Sequence, residues 1–217
     1  MIRVLLCDDH RIVREGLKQI LADTDDIEIA GECADGPEAI RLAGLLAIDL
    51  VLLDISLPLR DGLDVLKQLK QNLPRLPVLM LSTYPEKQYA ARCFRLGAAG
   101  YLNKSADPEQ LMLAIRKISA GGIYIAPSMA ETLAAELGAQ HEKKPHELLS
   151  HREYQVFGLI AAGRSVREIA LQLDLSPTTV STYRSRILEK TGVVNDVGLA
   201  LYGVTHGLFG NDTDTRL

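Results

Sequence analysis

The sequence predicts an α/β fold, a five-stranded parallel sheet with helices on both faces, followed by a small all-α domain. Three observations predict it. Residues 1–122 alternate five short apolar runs with five segments of helical period, and such alternation folds as a parallel sheet joined by right-handed crossovers. From Ile123 to Glu147 the periodicity weakens. Residues 148–210 then carry two capping boxes, glycine stops and apolar positions at helical spacing, with no strand-like run.

Ile2 to Cys7 reads as the first strand, and Ile12, Val13, Gly16, Leu17, Ile20 and Leu21 mark one face of the helix after it. Ile27 to Cys33 is the second strand; Pro37 opens a helix through Ala39, Leu42, Ala43 and Leu46. Leu50 to Leu53 and the helix Leu63 to Leu69 follow, then Val78 to Leu81 and a helix after Pro85 through Tyr89, Ala90, Cys93 and Phe94. Gly100 to Leu102 is the fifth strand. The fifth helix starts with Asp107 as N-cap, Pro108 at its first position and Gln110 completing a capping box, and it stops at Gly121 and Gly122. Met129 to Leu137 fits a short helix, Gly138 to Pro145 an exposed polar linker, and the tail 211–217 is expected to be disordered. The expected divisions are a first domain at 1–122, a linker at 123–147 and a second domain at 148–210.

Hydrophobic residues make up 47% of the 217 residues, enough for a substantial core and against wholesale disorder. No run of eighteen apolar residues occurs, and Met1 to Leu6 leads straight into Asp8 and Asp9 without a signal-peptide pattern, so a cytoplasmic protein without a membrane span is expected. Cys7, Cys33 and Cys93 are odd in number and widely spaced, which fits core thiols and neither a disulfide framework nor a zinc motif. The net charge of −4 does not mark a nucleic-acid binder. Residues 148–210 hold 6 Lys+Arg against 5 Asp+Glu, so any DNA contact depends on cations gathered on one face.

The chemistry lies where parallel sheets bind ligands, at the carboxyl ends of the strands. Asp8 and Asp9 follow the first strand and Asp54 follows the third. Three converging carboxylates repel unless a cation joins them. Hard oxygen ligands with an incomplete shell suit Mg²⁺, and a carboxylate beside such a metal can become an aspartyl phosphate. Ser82 ends the fourth strand and Lys104 follows the fifth, placing a hydroxyl and an ammonium within reach of a phosphoryl group. Asp49 and Asp61 read as loop or capping residues, and His10 as a cap or surface residue.

Cys7-Asp8-Asp9-His10, Leu53-Asp54-Ile55-Ser56-Leu57-Pro58 and Gly97-Ala98-Ala99-Gly100-Tyr101-Leu102-Asn103-Lys104 resemble the motifs of the receiver domain of response regulators, specifically the NarL/FixJ family. The resemblance implies a flavodoxin-like sheet and phosphorylation of Asp54 by a sensor histidine kinase. It implies that Asp9, Asp54 and the backbone carbonyl of Ser56 hold Mg²⁺, with Asp8 helping through water. Ser82 and Tyr101 would form a hydroxyl–aromatic switch in which Tyr101 turns inward on phosphorylation.

In the second domain, Arg164 to Lys190 reads as a helix, the break Asp174-Leu175-Ser176, and a second helix, the arrangement that lays its second helix in the major groove. Val180, Ile187 and Leu188 should face inward. Thr178, Ser181, Thr182 and Ser185 should meet bases, and Thr179, Tyr183, Arg184, Arg186 and Lys190 are candidates for phosphate contact. Leu149-Ser150-His151-Arg152-Glu153, Ile169-Ala170 and Leu175-Ser176-Pro177-Thr178-Thr179-Val180 resemble the LuxR-type helix-turn-helix. Ser181-Thr182-Tyr183-Arg184 is similar to the variant of GacA- and BvgA-type regulators, and Asn195-Asp196-Val197 and His206-Gly207 look more like the GacA group. Many relatives carry lysines where this chain has Thr178 and Ser181, which leaves the target sequence open and predicts a shallower salt dependence. The family's last helix forms a dimer contact, for which Val197, Ala200, Leu201 and Val204 offer an apolar stripe here, with intradomain core as the alternative for each.

Together these features predict a transcription regulator switched by phosphorylation, a homodimer on double-stranded DNA, with RNA polymerase as a further partner. Two other readings are weighed. A phosphatase of the haloacid dehalogenase type wants a second Asp two residues after the nucleophile, where this chain has Ser56. A phosphorylation-independent regulator with a vestigial receiver would not need the intact pocket.

Overall fold

The computed structural model describes residues 1–83, 86–126 and 144–208. The helix expected over 129–137, the linker over 138–143 and the tail from Asn211 lie outside the described residues. The chain divides into two compact units, Met1–Gln140 and His141–Leu217.

The first unit alternates β1 (Ile2–Cys7), α1 (Arg11–Ala22), β2 (Ile27–Cys33), α2 (Gly36–Leu45), β3 (Leu50–Asp54), α3 (Gly62–Asn72), β4 (Val78–Ser82), α4 (Glu86–Arg95), β5 (Gly100–Asn103) and α5 (Pro108–Ser119). The five strands are parallel in the order β2-β1-β3-β4-β5. Every residue of β3 and β4 is buried, as strands covered on both faces require, which is why they read as unbroken apolar runs. Chain order reverses direction between β1 and β3, so the topological switch point lies between the two strands whose ends carry Asp8, Asp9 and Asp54.

The helix starts are chemically explicit. Asp35 accepts from the Glu38 amide at 2.8 Å and Asp61 from the Leu63 amide at 2.8 Å. Asp107 does stand at the N-cap of α5 with Pro108 at the first turn, but its side chain makes no cap hydrogen bond, so the capping box with Gln110 does not form. The chain also stays with the first unit past Gly122: the Tyr124 amide donates to Ala99 O at 2.9 Å, a bridge beside β5, and Tyr124 is buried.

In the second unit a 3₁₀ turn (Pro145–Leu148) leads into α6 (His151–Ala161), α7 (Val166–Gln172), α8 (Pro177–Thr191) and α9 (Asp196–Thr205). Both expected capping boxes form, Ser150 with Glu153 and Ser165 with Glu168. Gly192 closes α8 at φ +69°, a left-handed cap that favours glycine. Leu149, Val156, Phe157, Ile160, Ile169, Ala170, Val180, Ile187 and Leu199 make one core, with Leu188 packed beside it. Cys7, Cys33 and Cys93 are all buried and free, and burial pushes the thiols of Cys7 and Cys93 up, away from the reactive thiolate.

Candidate functional site

The carboxyl edge of the first sheet brings Asp8, Asp9, His10 and Asp54 together, with one ligand atom from each within 4.8 Å of all the others. Asp54 is the last residue of β3, and Asp8 and Asp9 begin the loop after β1. Local geometry holds each in place. Asp8 Oδ1 accepts from the His10 amide at 2.9 Å, an Asx turn, and the Asp8 carbonyl accepts from Arg14 Nη1 at 2.6 Å. Gly62 lets the start of α3 press against the Asp54 backbone: a Cβ there would collide with the Asp54 carbonyl oxygen and Ile55 Cα.

Lys104, at the end of β5, reaches between two of the acids. Its Nζ lies 2.6 Å from Asp8 Oδ2 and 3.0 Å from Asp54 Oδ2, with the ammonium and both carboxylates almost wholly buried. Neither oxygen receives a well-directed hydrogen bond, so the contact is chiefly one of charge with charge. Burial pushes the Asp54 carboxyl above its usual range; Lys104 opposes this and the nearby Asp8 charge reinforces it. Burial alone would lower the Lys104 amine, but Asp54 and Asp8 together carry it above its ordinary value.

Ser82 is buried at the end of β4, and Tyr101 of β5 is 0% exposed. Ser56 is half-buried just after β3, and its amide donates to the Asp54 carboxylate. His10 stands at the N-cap position of α1 with its side chain 62% exposed, in line with its sequence reading as a cap or surface residue; it makes no cap hydrogen bond, and its Nδ1 lies 2.6 Å from Asp9 Oδ1 beside the acidic cluster. Its adjacency to the Asp pair was the only signal of this in the sequence.

On the second unit, α7 and α8 are joined through Asp174, at φ +53°, and Ser176, whose Oγ accepts from the Thr179 amide at 3.0 Å. Thr178, Ser181, Thr182 and Ser185 all lie exposed on α8. The flanking residues divide. Arg186 is exposed, and no ion pair engages it among the described residues. Arg184 Nε is 2.7 Å from Asp196 Oδ1 at the start of α9, and Lys190 Nζ is 2.6 Å from the buried Glu153. Tyr183 is half-buried against the core, and Thr179 joins the cap, its Oγ1 2.8 Å from Ser176 Oγ. Along α9, Val197, Leu201 and Val204 are 66–79% exposed and Ala200 is half-buried, so the three larger members of the stripe are surface and not core.

An acidic pocket at the switch point of a five-stranded parallel unit, with a helix-turn-helix unit after it, defines the class of two-component response regulators. Residues 4–116 match the response regulator receiver domain, and residues 147–202 match the bacterial regulatory proteins of the luxR family. The chain is 37% identical to response regulator UvrY of Escherichia coli K12 across 98% of both chains. It is 39% identical to response regulator GacA of Pseudomonas aeruginosa, over 96% of this chain and 98% of that one. Among solved structures it resembles RcsB from Salmonella enterica serovar Typhimurium bound to promoter rprA in the presence of phosphomimetic BeF3-, with a TM-score of 0.59, 26% identity and 93% of this chain and 97% of that one covered. It also resembles response regulator ChrA of a heme-sensing two-component system, with a TM-score of 0.52, 34% identity and 96% and 98% of the chains covered. The chain belongs to the response regulators that join a receiver domain to a LuxR-type DNA-binding domain. No helix of the described residues is long and apolar enough to cross a membrane.

Proposed function

We propose that Asp54 is the phosphoacceptor of this regulator, that Asp8, Asp9, Asp54 and the Ser56 carbonyl hold Mg²⁺, and that phosphorylation controls DNA binding through α8. The observation that carries this reading is the buried Asp8–Lys104–Asp54 triad at the switch point, with Asp9 beside it. One ammonium and three carboxylates gather there, so the pocket keeps a net negative charge that a divalent cation with oxygen preference would neutralise. The donor set fits Mg²⁺, which when bound supplies positive charge at the phosphoryl oxygens.

The residues divide the remaining work. An Asp54 carboxylate oxygen bonds to phosphorus as the P–N bond of a kinase phosphohistidine breaks, and the departing nitrogen keeps the electron pair. Lys104 is placed to pair with the phosphoryl group once it sits on Asp54, and the Ser82 hydroxyl to hydrogen-bond it. Such a shift loosens the hold of Lys104 on Asp8 and biases the surface around β5. The output is a homodimer on double-stranded DNA, assembled through the exposed Val197, Leu201 and Val204 with Ala200, and acting on transcription with RNA polymerase.

Incubation with Mg²⁺ and acetyl phosphate, followed by intact-mass measurement, tests this. One added phosphoryl group in the wild type and none in Asp54→Ala is the expected result. DNA binding that rises with phosphodonor in the wild type and not in Asp54→Ala completes it; equal binding in both supports a regulator with a vestigial receiver.

A further inference from the structure

The hydroxyls on the outer face of α8 have a defined polarity. Ser181 Oγ lies 2.9 Å from Pro177 O, Thr182 Oγ1 3.0 Å from Thr178 O, and Ser185 Oγ 3.1 Å from Ser181 O. A carbonyl oxygen can only accept, so each hydroxyl must be the donor and its single proton is committed to the helix. What these side chains turn outward is an oxygen lone pair and, at Thr182, a methyl group. Two neighbouring cations are already engaged: Arg184 through Nε with Asp196 at 2.7 Å, and Lys190 with Glu153 at 2.6 Å and Leu148 O at 3.2 Å.

Guanine is read in the major groove by two donors directed at N7 and O6, usually from arginine or lysine. The Ser181, Thr182 and Ser185 face offers no such pair. It complements the groups that donate from base edges, the exocyclic amines of adenine and cytosine, and the thymine 5-methyl that packs on apolar contacts. We propose that Ser181, Thr182 and Ser185 set the sequence preference of this regulator as acceptors, reading adenine and cytosine amines and the thymine methyl instead of the guanine N7/O6 edge. The inference rests on the reading that α8 enters the major groove. Arg186, exposed on the flank of the face, is the residue that could instead supply guanine donors.

Base analogues separate the two. Full-length protein treated with acetyl phosphate and Mg²⁺ would first select duplexes from a randomised double-stranded library. Single bases in the selected half-site would then be replaced. Removing one adenine or cytosine amine, or replacing thymine with uracil, is expected to weaken binding about 3- to 10-fold, the scale of one hydrogen bond or methyl contact. Replacing guanine N7 with carbon should change it less than about twofold, since no bidentate donor is lost. Ser181→Ala and Ser185→Ala, with folding checked by circular dichroism, should each weaken binding to the selected duplex by a similar factor and erase the sensitivity to one amine. The proposal is overturned if loss of guanine N7 costs the most and Arg186→Ala removes that dependence. Failure to enrich any duplex overturns the underlying DNA-binding reading as well, and so is distinguishable from failure of the acceptor face alone.

Discussion

Lys190 Nζ lies 2.6 Å from Glu153 Oε2, which joins the end of α8 to the capping box that starts α6. The same oxygen accepts from the Ser150 amide at 2.6 Å, and the Glu153 side chain is only 3% exposed. The sequence offers Lys190 as a candidate for phosphate contact, and in the fold its ammonium is paired with this buried carboxylate. Lys190→Ala should therefore destabilise the second unit by about 1–2 kcal/mol, the cost of leaving a buried acceptor without its charged partner. The salt slope of DNA binding should stay nearly unchanged. Thermal unfolding beside a salt titration checks both, and a reduced slope at unchanged stability would return Lys190 to the DNA interface.

Arg186 should behave in the opposite way. It is exposed and outside any ion pair among the described residues, so Arg186→Ala should leave the unfolding temperature within about 2 °C, as surface changes do. The slope of log K against log salt should fall by about 0.9, the release attached to one phosphate contact. Arg184→Ala should give a smaller change in slope, because that guanidinium is already paired with Asp196.

The sheet was legible in the sequence because β3 and β4 are buried on both faces, and the pocket was legible because its acids sit at the carboxyl ends of β1 and β3. Capping boxes at Ser150 and Ser165 were readable because the interacting residues are three apart. The pairings that engage Lys190 and Arg184 were not, since they join residues 37 and 12 positions apart, where only the packed helices set the distance. The same holds for Tyr101, whose inward position depends on how β5 packs and not on any local pattern.

Mg²⁺ should stabilise the first unit, and Asp54→Asn should reproduce part of that effect. The Asp54 carboxyl is raised by burial from 3.8, so the stability it contributes is fully present below its unfolded value and is lost as pH rises through the folded one. At neutral pH its ionised form is a cost in the metal-free protein. Without Mg²⁺, Asp54→Asn should raise the unfolding temperature by a few degrees, and it should shrink the further gain on adding Mg²⁺. Thermal scans with and without Mg²⁺ decide it; a metal-free Asp54→Asn protein less stable than wild type would contradict the account.

Lys104→Gln should separate the two cations that compete for the pocket. Removing the ammonium withdraws the charge that offsets Asp8 and Asp54, so the metal-free variant should be less stable. Mg²⁺ should nevertheless bind it several-fold more tightly, because the same oxygens then face no resident cation. Calorimetric titration with Mg²⁺ gives the affinity directly, and weaker binding would mean that Lys104 shapes the site instead of competing for it.

Leu59 holds φ +63° in the loop after β3, a left-handed conformation that costs a side-chain-bearing residue roughly 1–2 kcal/mol. It is 87% exposed, so no buried contact offsets that cost. The Arg60 amide reaches back to Pro58 O at 2.6 Å, a tight turn that fixes this conformation. Leu59→Gly should therefore stabilise the first unit by about 0.5–1 kcal/mol, the strain relieved less the extra entropy glycine loses on folding. Asp174→Gly, at φ +53° in the second unit, should gain less, because aspartate tolerates that region better than leucine. Denaturant unfolding of the two variants ranks them, and a destabilised Leu59→Gly would mean that the exposed leucine makes a contact in solution that outweighs its strain.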